Sequence, residues 1–433
     1  MAKKEDSAEY EINSLGRSKV LLKTTLKLGS QKAKNKISKS LFPDQAKSSA
    51  EEEREMAEIL FKGLCQLRGT ALKLAQFISS QNGFLKPEHM EVLKQSHYQV
   101  PPLNAVVVSK MIRNEFKKEK EELFLKFEDK AFAAASLGQV HKAQLKDGTK
   151  VAVKIQYPGI DQTVSIDLNL IKKFLSAVPR NGVILNNLNS IESRLKEEVD
   201  YSIEKKYADQ FHEIYQNSSI LIPKVYSASS STRVITYEYL EGSSLQDWLK
   251  IKPSQAEKNI IGQRLWNFLC TSLFKHKLLH CDPNWGNFLI QNEQKLAILD
   301  FGCVQNLSED AVLLFQELWA PDNKDSIENI LSLYLKLGAN FDSSSSESSF
   351  LFYQQVIAPY KQWLNKITNS HIFHFGQYPG LSLEGQKILF KEVFKTTMDS
   401  FSPEFTLIHR TFFGILQILE TLSAEVEIQS PLN

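Results

Sequence analysis

Residues 280–302, HCDPNWGNFLI followed by QNEQK and then LAILDFG, decide the fold. The stretch reads as a loop, a short apolar strand from Phe288 to Ile290, a polar turn, a second strand from Leu296 to Leu299, and a second loop. Asp282 and Asn287 stand five apart, and Asp300 follows thirteen later at the head of Asp-Phe-Gly. An Asp-rich loop between apolar strands is also ordinary turn chemistry. Three polar groups at this spacing, closed by Asp-Phe-Gly, point instead to phosphoryl transfer. There one carboxylate (Asp282) orients the acceptor, while an amide oxygen (Asn287) and a second carboxylate (Asp300) hold Mg²⁺ against the phosphates. Such chemistry asks the protein for positioning and charge neutralisation, and these three side chains supply most of both.

The remaining parts of a nucleotide site lie upstream in the expected order. Val151-Ala152-Val153-Lys154 reads as a buried strand ending in a phosphate-binding lysine, reached through a hairpin turn at Asp147-Gly148. Before it, AFAAASLGQV occupies the place of a glycine-rich phosphate cover. Gly138 and Val140 keep their positions, and Ser136 lies between alanines and glycine. Ala133 and Ala135 stand where two glycines would be, so the loop loses the easy positive-φ conformations. A mixed-charge helix then offers Glu198, Asp200 and Glu204, one of which must pair with the strand lysine. Strands around residues 220–240 (ILIPKVYSA and TRVITYEYL) lead to a hinge, with Glu238 and Leu240 as candidates for backbone hydrogen bonds to an adenine ring.

These pieces resemble the UbiB family, the AarF-domain or ABC-one-like atypical kinases, over roughly residues 50–310. AAASLGQVHKAQL resembles that family's alanine-rich loop, VAVKIQYPGI its lysine strand, Glu198-x-Asp200 its Glu-x-Asp motif, and CDPNWGNFLI with LDFG its two loops. The similarity continues weakly into SPEFTLIHRTFFGIL. It also gives meaning to the helix at residues 50–80, where Lys73 and Gln76 match a Lys-x-Gly-Gln run with Ala75 in place of the glycine. The resemblance implies that this helix folds over the nucleotide site, with Lys73 serving catalysis against Glu198 and Asp200. Glu204 is then the partner of Lys154. It further implies ATP and Mg²⁺ as cofactors and an ATPase or phosphotransferase that supports ubiquinone or related isoprenoid quinone synthesis. Its partners would be quinone-biosynthesis proteins or a lipid precursor. A small-molecule kinase of aminoglycoside type and a non-catalytic nucleotide-gated lipid-binding scaffold are the competing readings.

The expected fold is α+β, a two-lobed protein-kinase-like architecture. Its parts are a basic arm (1–43), a helical extension (44–125), a lobe with the alanine-rich loop and lysine strand (126–242), and a largely helical lobe with both loops (243–433). The polar segment at 343–349, SSSSESS, reads as a disordered insert, and residues 255–279 as an amphipathic helix running into the first loop. A net charge of +2 over 433 residues supplies no global field for nucleic acid. Between Arg17 and Lys39, however, eight basic residues occur with no acid, interleaved with leucines, which suits an anionic membrane face. With no run of 18 apolar residues and four scattered cysteines, the expectation is a cytoplasmic protein, peripheral on the inner face of a membrane.

Overall fold

The computed structural model describes residues 14–41, 55, 59, 103–135, 137–160, 192, 195–320, 324–339, 341–396 and 402–428. Lys73, Gln76 and Ser136 lie outside these residues. The chain divides into two compact units, residues 1–201 with 226–237, and residues 202–225 with 238–433.

The first unit is built on a five-stranded sheet ordered β1 (Phe124–Phe127), β3 (Gly138–Leu145), β4 (Lys150–Gln156), β6 (Val234–Glu238), with β2 (Ala133–Ala135) also paired to β3. The β3–β4 turn is made where the sequence predicts it. Gly148 takes φ +89°, and the Asp147 carboxylate accepts the Thr149 N–H at 2.9 Å. Alternation along β4 sends Val151, Val153 and Ile155 into a core with Phe124, Leu137 and Val234. Against that core packs the helix Ala105–Phe116, capped by Asn104 and burying Val108 and Ile112, one turn apart. Beneath the sheet edge runs a buried chain of hydrogen bonds. Leu103 N–H donates to Gln139 Oε1, Gln139 Nε2 donates to His141 Nε2, and His141 Nδ1 donates to the Glu128 carbonyl. Burial pushes the His141 pKa below its ordinary value, against the opposing pull of the hydrogen bond to the Glu128 carbonyl.

The basic helix spans Ser14–Leu41 without a break at Gly16 or Gly29. Thr24, Leu28 and Asn35 lie on its buried side, while Leu22 and Leu26 are 62% and 65% exposed.

The second unit carries two small sheets on a helical core. One is ordered β5 (Ile220–Leu221), β10 (Leu296–Ile298), β9 (Phe288–Ile290), β7 (Ser243–Ser244); the other pairs β8 (Leu278–His280) with β11 (Val304–Asn306). The register Phe288↔Ile298 and Ile290↔Leu296 makes β9 and β10 the antiparallel pair expected between the two loops. Helices Gln255–Cys270, Glu309–Trp319, Ala358–Thr368 and Pro403–Leu422 bury Trp266, Trp319, Trp363 and Phe412 among themselves, with Trp266 and Trp319 stacked at 5.4 Å. Ser254, Ser308 and Ser402 cap three of these helices.

Three expectations are corrected. The serine run is not a disordered insert: Ser345 caps a helix, Ser346–Phe352, whose Phe352 is buried and stacks on Phe341 at 4.4 Å. Serines there act as caps and turn formers, with Asp342 accepting from Ser344. Within ILIPKVYSA only Ile220–Leu221 is strand, because Pro223 has no N–H for a ladder, and the strand joins β10 rather than β6. The helix before the first loop ends at Cys270 and passes through a π-helical turn, Thr271–Lys275, before β8.

Candidate active site

The first loop is fixed at both ends. His280 is buried at the end of β8, and its Nε2 donates to the Asp300 carbonyl at 2.9 Å, which ties the first loop to the second. Its ring meets Phe301 edge-on at 5.5 Å, and Phe301 packs on Phe211 at 5.2 Å, so an aromatic column runs under both loops. The imidazole is therefore a packed structural group. Asn284 accepts the Gly286 N–H at 3.0 Å and caps the short turn Trp285–Asn287, which presents Asn287 back toward the loop start. Asn287 Nδ2 donates to the Asp282 carbonyl at 3.1 Å and to Asp282 Oδ2 at 2.9 Å. These two acceptors settle which end of the amide is nitrogen, leaving its oxygen on the other side.

The second loop is held alongside. Leu299 N–H donates to the Asn287 carbonyl at 2.8 Å, and Cys281 N–H to the Cys303 carbonyl at 2.8 Å. Asp300 adopts φ 60°, a left-handed conformation uncommon for a residue with a side chain. Its Oδ1 accepts the Gly302 N–H at 3.2 Å. A Cβ at Gly302 would stand 3.2 Å from that oxygen and 3.6 Å from Glu204 Oε2, so the Glu204 carboxylate lies directly against the second loop. Glu204 is buried in the first turn of the helix Tyr201–Tyr215. Ala208, Phe211 and Tyr215 follow it at helical spacing on the buried side, and the Tyr215 hydroxyl donates to the Phe268 carbonyl at 3.2 Å.

In the first unit, Lys154 faces Val140 across the hairpin, is 9% exposed, and holds Nζ 5.1 Å over the Tyr201 ring. Gln156, two residues on, donates to the Val199 carbonyl at 2.7 Å, which fastens the buried Glu198 and the adjoining Asp200 beside the lysine strand. The alanine-rich segment is itself a strand, folded back on β3 with Ala133 opposite Val140 and Ala135 opposite Gly138. Only glycine fits at 138, where a Cβ would lie 2.2 Å from the Ile155 carbonyl oxygen. At the end of β6, Glu238 N–H donates to the Lys224 carbonyl at 2.8 Å, and Leu240 follows in the connecting segment.

One charged residue at the first loop escapes motif reading. Arg410, from the helix Pro403–Leu422, brings Nη2 within 3.9 Å of Asp282 Oδ1. One turn on, a Cβ at Gly414 would stand 2.3 Å from Pro283 Cγ, so the helix is seated against the loop with no space for a side chain. The segment SPEFTLIHRTFFGIL stands out in the sequence, but no spacing rule links it to Asp282.

Among the described residues no three His, Cys, Asp or Glu side chains converge as a self-sufficient metal cage. The Asn287 amide oxygen and the Asp300 carboxylate are hard oxygen donors on adjoining loops. That set fits Mg²⁺, which takes one or two protein oxygens and completes its shell with phosphate and water.

A family model described as "ABC1 atypical kinase-like domain" matches residues 95–330, more than half of the chain. Among curated proteins, "AarF domain-containing protein kinase 1" of Xenopus tropicalis is 34% identical over 284 residues, covering 64% of this chain and 54% of that protein. "Atypical kinase COQ8, mitochondrial" of Schizosaccharomyces pombe is 32% identical over 288 residues, covering 65% and 47%. The chain thus spans about half the length of the curated relatives it matches. A Mycobacterium tuberculosis protein solved in complex with erythromycin shares the fold, with a TM-score of 0.59 at 24% identity over 88% of this chain and 96% of that one.

Proposed function

Because the chain belongs to the ABC1 atypical kinase-like family, we propose that it binds Mg·ATP and transfers or hydrolyses the terminal phosphoryl group in support of isoprenoid quinone synthesis at a membrane surface. The observation that carries the chemistry is the Asn287 amide, turned onto Asp282 so that its oxygen is left for a metal beside Asp300. Asp282 orients the acceptor, a hydroxyl or a water, and takes up its proton. Asn287 and Asp300 hold Mg²⁺, which when bound neutralises charge on the phosphates. Lys154, paired with Glu204, holds the α- and β-phosphates. Gly138, Val140 and the strand of Ala133 and Ala135, with Ser136, cover them, and the backbone at Glu238 and Leu240 meets the adenine. Lys73 and Gln76, with Glu198 and Asp200, restrict access to the site.

The quinone role follows from the family resemblance, and the membrane surface from the basic helix. Leu22 and Leu26 are exposed one turn apart, beside the exposed Lys23 and Lys27. That pattern suits reversible attachment to anionic lipid. Among the described residues no helix is long and apolar enough to cross a membrane. The test is Mg²⁺-dependent ATP hydrolysis by the purified chain, with and without anionic vesicles and a quinone-precursor mimic. The expected result is slow basal turnover raised by vesicles and precursor together. Absence of nucleotide binding would overturn the reading.

A further inference from the structure

The charge on a phosphoryl group in flight must be neutralised where it develops. Residues 280–302 contain a single cationic side chain, Lys295, and it sits in the β9–β10 turn paired with Glu293 at 3.3 Å. The cation at Asp282 is Arg410, which comes from a helix outside the family-matched residues 95–330. At 3.9 Å it is near enough for charge attraction but too far for a hydrogen bond, and among the described residues it makes none. Asp282 Oδ2 is already occupied by Asn287, and the Asp282 and Arg410 side chains are 27% and 28% exposed. A planar guanidinium with unused N–H donors, beside the carboxylate that orients the acceptor, is matched to phosphate oxygens. The position is not accidental drift of a long side chain. Gly414, one turn along the same face, is seated on Pro283, and Thr411 and Ile415 line a small cavity with Pro283, Phe288 and His280.

We propose that Arg410 contacts the transferred phosphoryl group and supplies the positive charge that the loop itself lacks. The assignment rests on the kinase reading above. In the step, the acceptor oxygen forms its bond to the γ-phosphorus while the bridging bond to ADP breaks. The electron pair of that bond stays on the ADP oxygen, and the acceptor proton passes to Asp282. Arg410 donates to the equatorial oxygens as their charge is redistributed.

The test uses the full chain as wild type, Arg410→Gln and Arg410→Met, with binding of Mg·ATP and of Mg·ADP-fluoroaluminate measured separately from hydrolysis. Arg410→Gln is expected to keep Mg·ATP affinity within about threefold while losing on the order of 10²–10³-fold in kcat, with a parallel loss in affinity for the fluoroaluminate complex. Added guanidinium ion should restore part of the turnover. Arg410→Met keeps the apolar stem and decides the matter if the glutamine variant does not fold. Equal losses for both complexes, or retention of both, would overturn the assignment while leaving the kinase reading intact. A wild-type chain that binds no nucleotide would remove both.

Discussion

Asn287 points its side-chain N–H groups at Asp282, reaching the carbonyl at 3.1 Å and the carboxylate at 2.9 Å. The two residues therefore act as one unit: the amide holds the carboxylate in place, and the carboxylate fixes which way the amide oxygen faces. Asp300 completes the set from the second loop, joined to the first by His280 and by the Leu299 N–H.

Asp300→Asn separates charge from shape. Asparagine tolerates the left-handed φ 60° that Asp300 adopts, so the second loop should keep its backbone. Thermal scans should show an apo midpoint within about 2 °C of wild type. Stabilisation by Mg·ATP should be largely lost, since binding energy is what shifts the midpoint. A variant stabilised as fully as wild type would show that Asp300 is not the metal ligand.

Lys154 and Glu204 are both buried, at 9% and 3% exposure. Buried charges of opposite sign need partners. In a cycle of Lys154→Met, Glu204→Gln and the double variant, losses in ATP affinity should fall short of additive by roughly 0.5–3 kcal/mol. Additive losses would overturn the proposed pairing and point to Glu198, which the Gln156–Val199 bond holds near the lysine strand.

Ala135 and Gly138 face one another across the β2–β3 hairpin, yet opposite exchanges there should read out differently. Ala135→Gly loosens the strand proposed to cover the phosphates and should change ATP affinity or turnover while costing stability only within about 1 kcal/mol. Gly138→Ala drives a Cβ toward the Ile155 carbonyl and should destabilise the chain by about 1–3 kcal/mol. Urea midpoints of the two apo variants, compared with their nucleotide affinities, check both. Equal stability losses would mean the alanine strand is part of the core rather than a cover.

His409 gives the second unit an acid limb. Its Nδ1 donates to the Phe405 carbonyl, Nε2 is buried with no hydrogen-bond partner among the described residues, and burial pushes its pKa down to about 4. The folded state thus resists a proton that the unfolded chain accepts near 6.5. Stability is full above pH 6.5, falls as pH drops toward 4, and levels off below that, a loss of about 3 kcal/mol in all. His409→Phe should remove roughly 2 kcal/mol of the difference between unfolding free energies at about pH 7.5 and about pH 5. An unchanged pH dependence would place the acid sensitivity elsewhere.

What was legible in the sequence was local. The β9–β10 pair and both loops announce themselves because turn residues, short apolar runs and Asp-Phe-Gly occur within one stretch. Gly138 was legible as a special position, and Glu204 as an acid on a helix. The seating of Gly414 on Pro283 and the approach of Arg410 to Asp282 were not, because they join distant segments by packing alone. The helix Ser346–Phe352 was hidden for a different reason. Four serines look like a linker until one of them caps and the phenylalanines behind it find a core.

The contact between Gly414 and Pro283 also sets an order of events during synthesis. The loop bearing Asp282 leaves the ribosome long before the helix that supports it. Until residue 422 has emerged, Pro283 lacks the surface it is seated on and Asp282 lacks Arg410. A nascent chain can therefore complete its upstream sheet while the candidate site around Asp282 is still unassembled. Arg410 reaches Asp282 only after more than a hundred further residues have been made.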